Sequence, residues 1–141
     1  MFAAVTFADL EKQSVLILGL GQEGLSTYRF LRQMFPAKHF GLADRAGRGE
    51  LSPQAKAVLT DNPDRLSLHL GAAYLACLSR YDIIMKSPGI PPTLPALQQA
   101  TARGAIISSH TALFFHNCPG TIIGITGTKG KSTTASLIYA I

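Results

Sequence analysis

The chain has 141 residues, enough for one ordinary domain with little to spare. Hydrophobic residues make up 47% and charged residues 15%, a balance that excludes an intrinsically disordered chain. Net charge is +5, but the 13 Lys and Arg residues are scattered, with no basic run and no interleaved aromatics, so phosphate-bearing small molecules are expected as ligands and nucleic acid is not.

In chain order, residues 1–10 carry Asp9 and no basic segment, so no signal peptide is expected. Residues 14–18 form a short apolar run of the buried-strand type, ended by Gly19-Leu20-Gly21. Residues 23–34 place Leu25, Tyr28 (or Arg29) and Leu31 at helical spacing, and Pro36 stops the helix. Residues 38–43 predict a second strand ending at Asp44, and the polar connection 45–64 holds a short helix near 54–59. A weaker strand at 66–70, a helical stretch at 72–79 and a buried strand at 81–85 lead to Ser87-Pro88-Gly89. A helix at 95–103 has Pro in its first turn; a strand at 105–108 and a short helix at 111–115 follow. The pattern then restarts with a strand at 121–126, a glycine loop and a helix from Lys131.

Strands alternating with helices imply an α/β fold with a doubly wound, Rossmann-like parallel sheet. The restart divides the chain into a nucleotide-type domain over residues 1–116 and, over 117–141, the first strand–loop–helix of a second α/β domain. About 25 residues before Lys129 carry no formal charge, long enough to raise the question of a membrane span. Ser108, Ser109, His110, His116, Asn117 and Pro119 interrupt the stretch, and no span is expected. Cys77 and Cys118 lie far apart and suggest reduced cysteines in a cytoplasmic protein; His39, His69, His110 and His116 show no ligand spacing.

Two segments carry chemistry. Gly19-Leu20-Gly21-Gln22-Glu23-Gly24 matches G-x-G-x-x-G after a strand and before a helix, where glycines permit a tight turn and a helix N-terminus faces a phosphate. Asp44 follows Gly24 by 20 residues at the end of the second strand, where an acid meets a ribose or a base. At the next strand end, the Ser87 hydroxyl and the Gly89 N–H offer donors to a second phosphate; the plainer reading is a Pro-Gly turn. The second segment, Gly127-Thr128-Lys129-Gly130-Lys131-Ser132-Thr133, ends in G-K-[ST] with shorter glycine spacing than the usual phosphate-binding loop. Its backbone N–H groups are expected to form an anion nest, Lys131 can bridge terminal phosphates, and Ser132 or Thr133 can ligate Mg²⁺ through a hydroxyl. Lys129 adds charge there or is simply solvated.

Two nucleotide-type sites in tandem, the second on T-G-T-x-G-K-S-T, resemble the ATP-dependent Mur ligases of peptidoglycan synthesis. Within that family, G-L-G-x-x-G-L-S at Gly19–Ser26 and S-P-G-I at Ser87–Ile90 are most similar to the D-glutamate-adding branch. The resemblance covers essentially the whole chain. It departs at Ser109–Phe114, where relatives carry acidic residues, and at Lys129, where Asn is frequent.

The resemblance implies that Gln22 and Glu23, with Gly19, Gly21, Gly24, Asp44 and Arg45, hold the uracil and ribose of UDP-N-acetylmuramoyl-L-alanine. Ser87, Pro88 and Gly89 would meet its diphosphate. ATP and Mg²⁺ are the implied cofactors, D-glutamate the second substrate, Lys131 the catalytic residue, and the protein a monomer. Family members continue for several hundred residues, so the chain is expected to be an N-terminal fragment that catalyses nothing alone. Three other readings stay open: another Mur ligase with a different amino acid, a nucleotide-sugar-binding module without chemistry, and an NAD-dependent oxidoreductase domain. The NAD reading has only the hexad and Asp44 behind it.

Overall fold

A computed structural model describes residues 4–140. Residues 1–3 of the N-terminal reading and Ile141 lie outside the described residues. The strands β1 (Val15–Leu18), β2 (Phe40–Asp44), β3 (Leu66–Leu70), β4 (Ile83–Lys86) and β5 (Ile106–Ser108) form one sheet in the order β3-β2-β1-β4-β5. Every pairing is parallel, with Val15 opposite Phe40 on one side and Ile83 on the other.

All four residues of β1 and of β4 are buried, as a parallel strand covered on both faces requires. Alternation sends Val15, Ile17, Phe40, Leu42, Ile83 and Met85 to one face. There they meet Leu10 of α1 (Phe7–Lys12), Leu25, Tyr28 and Leu31 of α2 (Gln22–Met34), Ala55, Val58 and Leu59 of α3 (Pro53–Thr60), and Leu113 of α5 (His110–Asn117). Leu16, Leu18, Ala43 and Ile84 turn to the other face, against Cys77 and Leu78 and against Leu97 and Ala100 of α4 (Pro95–Ala102).

Three departures from the sequence expectations have physical reasons. The stretch expected as helix at 72–79 is a 3₁₀ helix, Tyr74–Arg80. It starts after Gly71 (φ +82°), and Tyr74 and Ala76 donate three residues back, at 3.1 and 2.9 Å. A 3₁₀ helix rises about 2.0 Å per residue against about 1.5 Å for an α-helix, so this short connection reaches further back towards the start of β4. The helix α1 lay in no expected element; Thr6 and Asp9 start it with a reciprocal capping box. Residues 121–126, expected as a strand, form none: they lie mostly exposed, and among the described residues no strand pairs with them. Without a ladder partner an apolar run does not make a strand, whatever its β-propensity.

Among the described residues no helix is long and apolar enough to cross a membrane.

Candidate functional site

The strand order reverses between β1 and β4, so the loops after these two strands diverge and leave a crevice at the carboxyl edge of the sheet. The glycine hexad lies on one side of it and Ser87–Ile90 on the other. Gly19 takes φ +94°, and its N–H donates to the Ala43 carbonyl at 2.8 Å. A Cβ on Gly19 would stand 2.8 Å from Ser87 Oγ. Gly21 caps α2 with no side-chain bond, so the first-turn N–H groups of α2 keep their positive end towards the crevice. A Cβ on Gly24 would stand 1.8 Å from the Gly19 carbonyl oxygen, whereas one on Gly21 would meet nothing within 4 Å. Gly24 is therefore glycine for packing, whereas the backbone at Gly21 leaves room for a side chain.

Asp44 sits at the end of β2, where its spacing placed it. Its Oδ2 accepts the Leu20 N–H at 2.6 Å and its Oδ1 the Ala46 N–H at 2.8 Å, while its carbonyl accepts the Gly71 N–H at 3.0 Å. The carboxylate thus sets the hexad loop in place and keeps further lone pairs for a ligand. Two clefts meet at this residue. One, about 610 Å³, is lined by Gly21, Gln22, Arg29, Glu50, Ser52 and Gln54 with apolar Leu20, Leu25 and Leu51. The other, about 360 Å³, is lined by Gly19, Arg45, Tyr74, Gly89, Ile90, Pro91 and Leu94. A third, narrow crevice holds Glu23, Gly24, Thr27, Ser87 and His110.

The structure thus gathers Gly19, Gly21, Gln22, Asp44, Arg45 and Gly89 around two joined openings, and sets Glu23, Gly24 and Ser87 just behind. The Ser87 hydroxyl donates to the Gly19 carbonyl at 3.0 Å and stitches the two loops across the switch point. Arg29, Glu50 and Gln54 line the first cleft although no motif marks them. Lys86 was also overlooked. It is 4% exposed, burial pushes its pKa down, and its ammonium donates to the Ser87 and Ile90 carbonyls. A lysine closing an otherwise apolar strand was the signal available.

In the second segment, Gly127 (φ +151°) and Gly130 (φ +79°) shape a loop that leads into α6 (Lys131–Tyr139). Gly130 caps α6 without a side-chain bond, and the Lys131 ammonium folds back onto the Gly127 carbonyl. Thr128, Lys129, Ser132 and Thr133 are exposed. The uncapped helix start and the inward-turned lysine suit a polyphosphate, and the Ser132 and Thr133 hydroxyls suit a hard cation. Among the described residues no group of three or more His, Cys, Asp or Glu gathers as a metal cluster.

The family model described as "Mur ligase MurD-like, N-terminal domain" matches residues 13–109, from the start of β1 through β5. The chain belongs to this family. Among curated relatives, the UDP-N-acetylmuramoylalanine--D-glutamate ligase of Nitrosococcus oceani is 36% identical over 126 residues, covering 89% of this chain and 26% of the relative. The protein of the same name from Methylobacillus flagellatus is 34% identical over 135 residues, 94% of this chain and 28% of the relative. That from Ruminiclostridium cellulolyticum is 31% identical over 136 residues, 93% and 27%. The chain spans about a quarter of the length of these MurD-like relatives. The family match spans the hexad, Asp44 and the Ser87–Ile90 turn and stops before the Gly127–Thr133 loop.

Proposed function

We propose that the chain is the UDP-substrate-binding N-terminal part of a cytoplasmic, monomeric, ATP-dependent ligase that joins D-glutamate to UDP-N-acetylmuramoyl-L-alanine. The observation that carries this reading is the pairing, in one chain, of a MurD-like switch-point crevice with a G-T-K-G-K-S-T loop. The relatives' shared name supplies the substrates. In this reading residues 1–116 form the UDP-binding domain and 117–141 open the ATP-binding domain. Leu137, Ile138 and Tyr139 of α6 are 62%, 49% and 95% exposed, an apolar face open to packing.

The first cleft, with Gln22 at the helix start, Asp44 at its edge and apolar Leu20, Leu25 and Leu51, suits a base and ribose. Gly89 and Arg45 in the second cleft suit the diphosphate. At the other loop, the N–H groups around Gly127–Lys131 and the Lys131 ammonium would cradle the triphosphate, with Ser132 or Thr133 towards Mg²⁺. The cation would neutralise phosphate charge when bound. A carboxylate oxygen of the substrate attacks the γ-phosphorus, the bond to ADP breaks, and an acyl phosphate forms. The amine of D-glutamate attacks the acyl carbon, phosphate leaves, and the nitrogen gives up a proton. Positioning and charge neutralisation supply most of such catalysis.

Calorimetric titration with UDP-N-acetylmuramoyl-L-alanine, ATP–Mg²⁺ and NAD tests the reading. Saturable binding of the UDP-sugar is expected; binding of NAD with no response to the UDP-sugar rejects it. In the full-length protein, Lys131→Ala is expected to lower ATP-dependent amide formation by about a thousandfold or more while leaving UDP-sugar affinity within about twofold. Unchanged turnover removes Lys131 from the mechanism.

A further inference from the structure

The turn after β4 is closed by a buried ammonium. Lys86 Nζ donates to the Ser87 carbonyl at 3.0 Å and to the Ile90 carbonyl at 2.7 Å, the first and last residues of the turn. The Ser87 carbonyl also accepts the Ile90 N–H at 3.1 Å. The other donors of the turn are spent: Ser87 N–H on the Leu18 carbonyl at 2.9 Å, and Ser87 Oγ on the Gly19 carbonyl at 3.0 Å. Pro88 has no N–H. That leaves Gly89, whose N–H has no hydrogen-bond partner among the described residues and which lines the cleft shared with Gly19, Asp44, Arg45 and Tyr74.

Burying an ammonium is costly unless its donors are used. Here two of them pull the carbonyls at both ends of one turn towards the lysine. A turn held by its carbonyls from one side leaves its remaining N–H to the other, where a single backbone donor can meet an anionic oxygen. We propose that Lys86 is a positioning residue for the diphosphate of the nucleotide ligand, holding the Ser87–Ile90 turn so that the Gly89 N–H faces a phosphate oxygen. The inference rests on the UDP-substrate reading above.

The test is calorimetric titration of the full-length protein with UDP and, separately, with uridine, for wild type, Lys86→Met and Lys86→Gln. Methionine keeps the length and apolar stem and removes the donors; glutamine keeps one amide donor with shorter reach. UDP affinity of Lys86→Met is expected to fall about tenfold or more, with uridine affinity changing less than about threefold, because only UDP carries the anion that the turn serves. Lys86→Gln is expected to fall between. Wild-type UDP affinity in Lys86→Met, or equal proportional loss of UDP and uridine, overturns the inference and leaves the UDP reading standing. A wild-type protein that binds neither ligand overturns that reading and the inference with it. Should Lys86→Met fail to fold, the UDP-to-uridine ratio of Lys86→Gln decides by the same criterion.

Discussion

At Gly24 the missing side chain is a matter of backbone against backbone. A methyl there would press on the Gly19 carbonyl oxygen at 1.8 Å and its carbon at 3.0 Å, so α2 and the hexad loop would have to part. Gly24→Ala is expected to destabilise the fold by about 3 kcal/mol or more, at the upper end of overpacking costs, measured by urea unfolding. Gly21→Ala has free space and an ordinary φ, and loses only N-cap preference, about 1 kcal/mol. Equal costs for the two would contradict the division of roles. The hexad and its spaced acid were legible because strand–glycine–helix geometry restricts residue type at each place. How Asp44 is used was not, since its bonds to the Leu20 and Ala46 N–H groups depend on the folded path of two loops. Lys86 was hidden for a similar reason: nothing local says which carbonyls a buried ammonium will find.

At the scale of elements, α2 is held at both ends by different means. Its start faces the crevice, and near its end Arg32, 8% exposed, works as a staple. Its guanidinium donates to the Tyr28 hydroxyl (3.1 Å) and to the carbonyls of Pro36 (3.2 Å), Lys38 (2.6 Å) and Arg65 (3.2 Å). It also lies over the rings of Tyr28 and Phe40, at 5.3 and 4.9 Å from their centroids. One side chain thus ties α2, the turn into β2 and the approach to β3. Arg32→Met is expected to cost about 2–4 kcal/mol, read as a lower urea midpoint, because charge-assisted bonds are lost and carbonyls lose their donors. Arg32→Lys should recover only a small part, since a point charge cannot serve that fork of acceptors. The helical spacing that predicted α2 is carried by Leu25, Tyr28 and Leu31; an arginine one place on reads as surface until the folded chain surrounds it. The capping box of Thr6 and Asp9 could have announced α1, but six residues with a single buried side chain, Leu10, leave little periodicity to find. The strand expectation at 121–126 fails for the opposite reason: its local pattern is good, and a strand is decided by its neighbours.

For the whole molecule, acid should remove stability in two stages, the first from a histidine and the second from two carboxylates held by hydrogen bonds. His69 on β3 bonds to the Tyr81 hydroxyl at 2.9 Å, edge-on to its ring, and burial lowers its pKa below the ordinary 6.5. A depressed folded value means that the unfolded chain binds more protons across that window, so the stability His69 contributes is present above 6.5 and is lost as pH falls through its folded value. Asp82 accepts the Ser14 hydroxyl at 2.6 Å and the Ser14 N–H at 2.9 Å, joining the starts of β1 and β4. Those bonds hold its pKa below the ordinary 3.8, and Thr6 does the same for Asp9. The stability from these two carboxylates is present above 3.8 and is lost as pH falls through their folded values. Urea midpoints from neutral pH down to about pH 2 should therefore step down first in the histidine range and again in the carboxylate range. His69→Phe keeps the edge-on ring contact and should flatten only the first step. Asp82→Asn should shrink the second without abolishing it, because Asp9 still titrates there. A first step that survives His69→Phe would assign it to another group, and a second step of wild-type size in Asp82→Asn would mean that the Ser14 contact contributes nothing in solution.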